Sequence, residues 1–297
     1  MPYVTVVQLE LVATSGGSLP WFSGSESRGA FLSVVGQACE ELARVLHGSG
    51  RALYALKPLS FKTGYRVVRG AGRSLAEAGV LFEPGARAVL EVSLLDDRVS
   101  RRFVSDVLPV ATGLEVKGMS FRVDALAVHV VEPREVLERA EGWESGALDV
   151  HFRTPTYFNP LTGDQRYKVL YPDPPHLLAS LVASAHALTG ASLPKPQELA
   201  EHVYISGLSI KTPRMEASKP APNGFVGWAR LTFKPAAPPQ IRRLVTGLLR
   251  LGELVNVGGN RTAGYGVVTV VPRRKQPGGR AAASRAAGQG AVAEGGK

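Results

Sequence analysis

Cysteine is nearly absent from this 297-residue sequence, which contains only Cys39. A single cysteine excludes an intrachain disulfide framework and any zinc site built from several thiolates. It is typical of a protein from a reducing compartment, so we expect a cytoplasmic location. Met1 to Val12 lack a basic leader and carry Glu10 within their apolar run, a pattern that does not predict a signal peptide.

Long apolar runs are lacking as well. The longest uncharged stretch lies between Asp173 and Lys195, and it contains two histidines and several prolines and serines. It predicts a buried helix rather than a membrane span. Clustered carboxylates and cofactor motifs are also missing, and the adjacent Asp96 and Asp97 fit a turn. We therefore expect neither a metal ion nor a cofactor.

Positive charge is in excess, with 35 lysines and arginines against 25 acidic residues and a formal net charge of +10. Such a balance favours a polyanionic partner, either nucleic acid or an anionic membrane surface. Half of the excess falls on residues 273–297, which are rich in Gly, Ala and Arg and lose all apolar periodicity. This segment predicts a disordered basic tail, and the rest of the chain is only mildly basic.

Two halves of the chain show the same order of elements: strand, helix, strand, strand, helix, strand. This order predicts an α+β protein made of two tandem ferredoxin-like domains with antiparallel sheets. We place the domains at 1–132 and 147–272, joined by a linker at 133–146. The first strand, from Tyr3 to Ala13, has apolar residues on both faces, so we expect both of its faces to be buried.

The periodicity of apolar residues predicts three further elements. A 3.6-residue apolar period from Gly29 to His47 predicts one long helix. The stretch from Leu114 to Val131 is predicted to be rich in strand, and Tyr265 to Val271 predicts the last strand.

A glycine-rich loop precedes this last strand and follows a helix. It contains Gly258, Gly259, Asn260, Arg261, Thr262, Gly264 and Gly266. The order helix, loop, strand excludes a dinucleotide-binding fingerprint, and the missing Gly-Lys-Ser/Thr excludes a Walker loop. What remains is a loop whose glycines permit close backbone approach and whose polar residues can donate to an RNA backbone. A turn that only reverses the chain fits the same residues.

Several stretches resemble the repeat-RNA processing endoribonucleases of CRISPR systems, members of the repeat-associated RNA-binding superfamily. The glycine-rich loop with its Gly-Tyr-Gly ending is one of them. The others are Phe152–Thr156 with its Thr-Pro-Thr element, Gly224–Gly227, and Leu46-His47 followed by Lys57–Phe61. The resemblance covers residues 1 to about 271, and it rests on the order and spacing of these motifs.

The resemblance implies an endoribonuclease that cleaves CRISPR precursor RNA within its repeats, without a metal ion. The 2′-hydroxyl of the RNA would attack the adjacent phosphate and give a 2′,3′-cyclic phosphate and a 5′-hydroxyl. A non-catalytic RNA-binding subunit of the same superfamily is the alternative, and a metabolic enzyme on the same fold lacks a supporting motif. The repeat RNA is the implied partner. A CRISPR effector complex as a second partner, and the choice between monomer and homodimer, stay open.

The same resemblance implies three catalytic candidates. His47 would serve in proton transfer, because histidine titrates near neutral pH, and its place at a helix C-terminus suits an acid. Lys57 would stabilise the developing negative charge. Relatives carry a tyrosine on the first helix that is missing here, and Tyr54 is the candidate to replace it.

Basic residues outside the glycine-rich loop complete the predicted RNA contacts. Lys211, Arg214 and Lys219 lie in or beside a proline-rich loop that could track phosphates. Arg153 lies beside the Thr-Pro-Thr element. An ordinary solvated loop is the alternative for the first three. The remaining histidines, His129, His151, His176, His186 and His202, fit structural or surface roles.

Overall fold

The computed structural model describes residues 3–48, 52–68, 78–163, 166–213 and 222–273. They form two antiparallel sheets, one in each half of the chain. Among these residues, none of the helices has both the length and the apolar composition that crossing a bilayer requires. The predicted tail beyond Arg273 lies outside the described residues.

The described residues of the first half form six strands and three α-helices. They are β1 (Val4–Ala13), β2 (Gly17–Pro20), α1 (Gly24–Ala38), α2 (Glu40–Gly48), β3 (Tyr54–Val68), β4 (Gly79–Leu94), α3 (Asp97–Arg102), β5 (Gly113–Val116) and β6 (Met119–Val131). The main strands lie in the order β3-β4-β1-β6, with β5 beside β6 and β2 beside the first residues of β4. This is the strand order of a ferredoxin-like sheet.

In the second half, the part of the chain that the structure describes forms four strands and four α-helices. They are α4 (Pro133–Glu138), β7 (Ala147–Thr156), α5 (Pro174–Thr189), α6 (Pro196–Ala200), β8 (Val203–Lys211), β9 (Phe225–Phe233), α7 (Pro239–Val255) and β10 (Val268–Pro272). The sheet order is β10-β7-β9-β8, and every pairing is antiparallel. The expected α+β class with antiparallel sheets is therefore confirmed in both halves.

The predicted helix from Gly29 to His47 is wrong in one respect, since the structure has two helices there. Cys39 adopts an extended conformation between α1 and α2. Glu40 and Glu41 stand in the first turn of α2, where negative charge stabilises a helix start. The apolar period runs on through both helices, which is why periodicity alone does not reveal the break.

The stretch from Leu114 to Val131, predicted to be rich in strand, forms a hairpin. Val116 pairs with Met119, so Lys117 and Gly118 form a two-residue turn. Both have positive φ, 53° and 77°, which is the conformation that joins two twisted strands most directly. The turn separates β5 from β6 and places β5 at the edge of the sheet.

Strand β1 is buried on one face along its whole length. The other face is buried at Val4 and Val6 but exposed at Glu10, so the prediction of two buried faces holds only for the start of the strand. Val7, Leu9 and Leu11 pack in the core of the first half. Val4 and Val6 point the other way and pack in the core of the second half. A strand of the first half therefore forms part of both cores, and the two halves are joined by apolar contact.

Helix α4 lies within the segment predicted as a linker. Its Leu137 is buried in the core of the second half. The main chain of Leu137 also lies directly against Gly247 of α7, where a Cβ atom would clash with it. Helix α4 thus packs as part of the second half.

Candidate nucleic-acid interface

The glycine-rich loop lies between α7 and β10 and touches both halves. Asn256, at its start, is fully buried and has a φ of 58°. Its side-chain Nδ2 donates to the carbonyl oxygen of Leu56 in β3 at 3.0 Å and to that of Arg261 at 3.5 Å. The loop is therefore fastened to the strand that carries Lys57.

The loop glycines are packed closely against the protein itself. At Gly266, φ is 71° and a Cβ atom would overlap the carbonyl oxygen of Val257. At Gly264, φ is 77° and a Cβ atom would overlap Pro58 of β3. Gly258 and Gly259 lie similarly against Tyr157. Gly258, Gly264 and Gly266, which also have positive φ, are therefore required by the fold, whereas a Cβ atom at Gly259 would meet only the end of the Tyr157 side chain.

The polar residues of the loop are the ones that reach solvent. Asn260 is exposed, and Arg261 and Thr262 are half-buried in a short 3₁₀ turn. Tyr265 and Gly266, which were predicted to belong to the last strand, are still part of the loop. Tyr265 donates its N–H to the carbonyl of Asn260, and Gly266 has a positive φ. The last strand begins at Val268, three residues later than predicted.

Tyr54 lies beneath this loop, at the start of β3. Its side chain is fully buried, and its hydroxyl accepts a hydrogen bond from Nε of Arg28 at 3.1 Å. Burial raises the pKa of Tyr54, and hydrogen bonds with Arg28 and Thr262 act in the opposite direction. A phenol with a raised pKa stays protonated at neutral pH, which does not suit a general base.

Arg28 is a contact that the sequence analysis did not single out. It is the single basic residue of α1 and is half-buried in that helix. Through Tyr54 it connects α1 to β3, next to the turn that carries Thr262. The sequence feature that could have indicated Arg28 is that α1 contains no other basic residue.

Lys57 and Arg153 line one cleft, although they come from different halves. This cleft, here called the strand cleft, has a volume of about 560 Å³. It lies between β3 and β4 on one side and β7 and β10 on the other. Its lining includes Lys62 and the aromatic residues Trp21, Phe22, Phe61 and Tyr65. Cationic and aromatic side chains together suit a nucleic-acid strand, whose phosphates and bases they contact respectively.

The charge of Lys57 is balanced by a neighbour. Lys57 faces Glu91 across β3 and β4, and its Nζ lies 2.6 Å from Oε1 of Glu91. The two side chains are 30% and 21% exposed. A phosphate that approaches Lys57 therefore competes with a carboxylate that is already in place. Arg153 is more accessible and donates a hydrogen bond to Thr269 at 3.4 Å.

His47 has different surroundings from Lys57. It lies in the last turn of α2, is exposed, and is not among the residues that line the strand cleft. Residues 49–51, which follow it, lie outside the described part of the chain. The structure therefore does not bring His47 and Lys57 together in one cavity.

The other predicted contacts lie on the edge strand of the second sheet or outside the described residues. Lys211 is exposed at the end of β8. Arg214 and Lys219 fall in the segment 214–221, which is not described. Within the described ranges, no three or more His, Cys, Asp or Glu side chains lie close enough to hold a metal ion.

Comparison with known proteins gives a family match in the second half. Residues 150–268 match the family described as CRISPR-associated endoribonuclease Cas6. The resemblance seen in the sequence is confirmed for this range. The matched Cas6 range contains the Thr-Pro-Thr element, the strand from Gly224 and the glycine-rich loop. His47 and Lys57 precede it. No match was found among curated protein sequences.

Solved structures extend the likeness in fold to most of the chain. A Cas6 product complex has a TM-score of 0.67 at 21% identity, covering 90% of this chain and 99% of its own. Thermus thermophilus Cas6 has a TM-score of 0.65 at 20% identity, covering 91% and 99%. A structure described as a RAMP protein binding different RNA substrates has a TM-score of 0.59 at 13% identity, covering 90% and 99%. The tandem ferredoxin-like fold is thus shared with Cas6.

Proposed function

We propose that this protein is a metal-independent endoribonuclease that cleaves CRISPR precursor RNA within its repeats. The observation that carries the proposal is the Cas6 family match of residues 150–268, on a fold shared with Cas6 structures over about nine-tenths of the chain. The strand cleft supports it, because it joins cationic residues of both halves beside the glycine-rich loop.

The proposed reaction needs no water and no metal ion. The 2′-oxygen of one nucleotide attacks the adjacent phosphorus atom, and the bond to the 5′-oxygen of the next nucleotide breaks. The 2′-hydroxyl gives up its proton to a base, and the leaving 5′-oxygen receives one from an acid. The products are a 2′,3′-cyclic phosphate and a 5′-hydroxyl, so every atom of the RNA is retained.

We assign three residues to this reaction. His47 is the proposed acid, since it is an imidazole exposed in the last turn of a helix, where the helix dipole favours a cation. Lys57 is the proposed cation for the phosphorane, and it must exchange Glu91 for the phosphate to act. Tyr54 is proposed to hold Arg28 in place instead of taking a proton, because its pKa is raised.

A non-catalytic RNA-binding subunit is the second candidate. The ion pair of Lys57 with Glu91 and the separation of His47 from the strand cleft favour it. Under this alternative the strand cleft and the glycine-rich loop hold repeat RNA without cutting it.

A cleavage assay in EDTA separates the two candidates. Purified protein is incubated with the repeat RNA of its host and with the same RNA carrying a 2′-deoxy nucleotide at the cut. We expect one cut in the first RNA, none in the second, and a large loss with His47→Ala. His129→Ala, an exposed histidine on β6, is the matched control. Binding without a cut would favour the RNA-binding subunit, and a requirement for metal would refute the proposed mechanism.

A further inference from the structure

A second cleft lies on the helix side of the molecule and is not used by the proposed reaction. This cleft, here called the helix cleft, has a volume of about 480 Å³. One wall is the side of α5 that carries His176, Ser180 and Ser184, together with the loop residues Gly258, Gly259 and Arg261, which are joined to α5 by hydrogen bonds. The volume is within the range of small-ligand sites, which begins near 300 Å³.

His176 is held in a fixed orientation at one end of the helix cleft. Its Nδ1 hydrogen-bonds the carboxylate of Asp173, the residue that caps the N-terminus of α5. The two side chains are 18% and 22% exposed. Because Nδ1 is engaged, Nε2 is the ring nitrogen left for a ligand. A half-buried histidine oriented by a carboxylate is an arrangement suited to contacting a polar group in the cleft.

Arg261 stands at the other end of the same wall. Its Nη1 donates to Oγ of Ser184 at 2.7 Å. Ser184 comes eight residues after His176 on α5, which corresponds to about 12 Å along the helix axis. Ser180, halfway between them, accepts the N–H of Gly258 at 2.7 Å, so it fixes the loop against the helix. The wall is therefore rigid, with a cation at one end and an imidazole at the other.

The lining between these ends is apolar and free of carboxylates. It includes Ala179, Ala183, Leu188 and Phe158, and no Asp or Glu is among the described residues that line it. Lys168 is not part of the lining, but its Nζ donates at 2.7 Å to Oδ1 of Asn159, which is. A ligand with a flat apolar body and a negative group fits this distribution.

We propose that the helix cleft binds one nucleotide of single-stranded RNA. Its phosphate lies at Arg261, its base lies against the alanines of α5, and Nε2 of His176 contacts a polar edge of the base or the ribose. The inference rests on the proposed function in taking RNA as the ligand. It adds a subsite that selects the nucleotide by contacts outside the strand cleft.

The test follows the imidazole signals of the protein by NMR. The full chain is titrated with tetraribonucleotides of A, of C and of U, and separately with inorganic phosphate. His176→Gln identifies the His176 signal. We expect that signal to shift in a saturable way with at least one tetranucleotide and to stay unmoved with phosphate. An equal shift with phosphate, or none with any tetranucleotide, would overturn the inference.

A second measurement gives the contribution of His176 to the affinity for RNA. The Kd for a repeat RNA made uncleavable by a 2′-deoxy nucleotide is compared between His176→Gln and His186→Gln. His186 lies on the same helix, exposed and outside the cleft lining. We expect about tenfold weaker binding with the first variant, as one hydrogen bond to a charged or polar ligand group would give, and no change with the second. Equal Kd values for the two variants would also overturn the inference.

The two proposals fail separately. A wild-type protein that cuts repeat RNA while the His176 signal ignores tetranucleotides would refute the helix-cleft subsite and leave the nuclease in place. A protein that cuts no RNA while His176 responds to tetranucleotides and His176→Gln weakens RNA binding would refute the nuclease and leave the subsite.

Discussion

Asn256 and Leu56 are joined by a hydrogen bond of 3.0 Å, in which the buried side-chain amide donates to a main-chain carbonyl of β3. The bond ties the glycine-rich loop of the second half to the strand that carries Lys57 in the first. Both Tyr54 and Lys57 lie within two residues of this contact. Its loss would therefore affect stability and the position of two proposed functional residues together.

Replacement of Asn256 tests this link. Asn256→Gly removes the amide but keeps a residue that tolerates the positive φ. We expect the free energy of unfolding to fall by about 1–3 kcal/mol, because the Leu56 carbonyl is left buried without this donor. Urea denaturation measures the change. Asn260→Gly is the control, since Asn260 also has a positive φ but is exposed. Equal stability of the two variants would contradict the role given to Asn256.

Removal of the charge of Glu91 tests whether its ion pair with Lys57 weakens the binding of RNA phosphate by Lys57. Glu91→Gln leaves Lys57 without its counter-charge, so we expect tighter binding of repeat RNA and a steeper dependence of the Kd on salt. One additional neutralised phosphate changes the slope of log K against log salt by about 0.7–0.9. Asp124→Asn, which frees Arg87 away from the strand cleft, should leave the slope unchanged. An unaltered slope with Glu91→Gln would place the RNA away from Lys57.

The buried Tyr265 predicts a loss of stability in alkaline solution. Burial, with a smaller effect of Tyr157, raises the pKa of Tyr265 to about 12 from its ordinary 10.0. The folded state keeps the phenol neutral while the unfolded state ionises, so this stabilisation is complete below pH 10 and declines between pH 10 and about 12. Denaturation across this range, compared with Tyr265→Phe, isolates the effect. The difference in stability between the two proteins should shrink as the pH rises, and a constant difference would refute the assignment.

The glycines of the loop can be tested in the absence of RNA. Gly266→Ala adds a Cβ atom where the Val257 carbonyl stands and imposes a strained φ. We expect a loss of at least about 2 kcal/mol in unfolding free energy. Gly29→Ala is the control, because Gly29 lies in α1 with open space around it. That change should stabilise the protein by about 0.5–1 kcal/mol. If Gly266→Ala left the free energy of unfolding unchanged, the fold would not require this glycine, and contact with RNA would be the remaining reason for it.

The order of elements could be predicted from the sequence because apolar residues recur with one spacing in strands and with another in helices. Helix α5 lies within the uncharged stretch between Asp173 and Lys195 that predicted a buried helix. The break at Cys39 was missed because the apolar stripe continues across it. The short β2 and α6 were missed as well, since four or five residues hold too little of a period to be recognised.

The contacts of the candidate site could be predicted only in part. Motif spacing indicated Lys57 and Arg153 separately, and the structure places both in the strand cleft. The partners Glu91 and Arg28 were not predicted, because they come from other elements and pair through the tertiary fold. For the same reason the sequence treated His176 as a structural residue, although α5 presents it to the helix cleft. The catalytic role of His47 stays a prediction.

The packing of Val4 and Val6 in the second core has a consequence for the growing polypeptide. When these two valines leave the ribosome, most of the surface that covers them has not been synthesised. At a translation rate of about 5–20 residues per second, the roughly 125 residues from Ala147 to Val271 add about 6–25 s of synthesis after the first sheet is complete. During that interval Val4 and Val6 stay exposed to solvent on the first half. We expect a chaperone that binds nascent chains to recognise this exposed apolar surface.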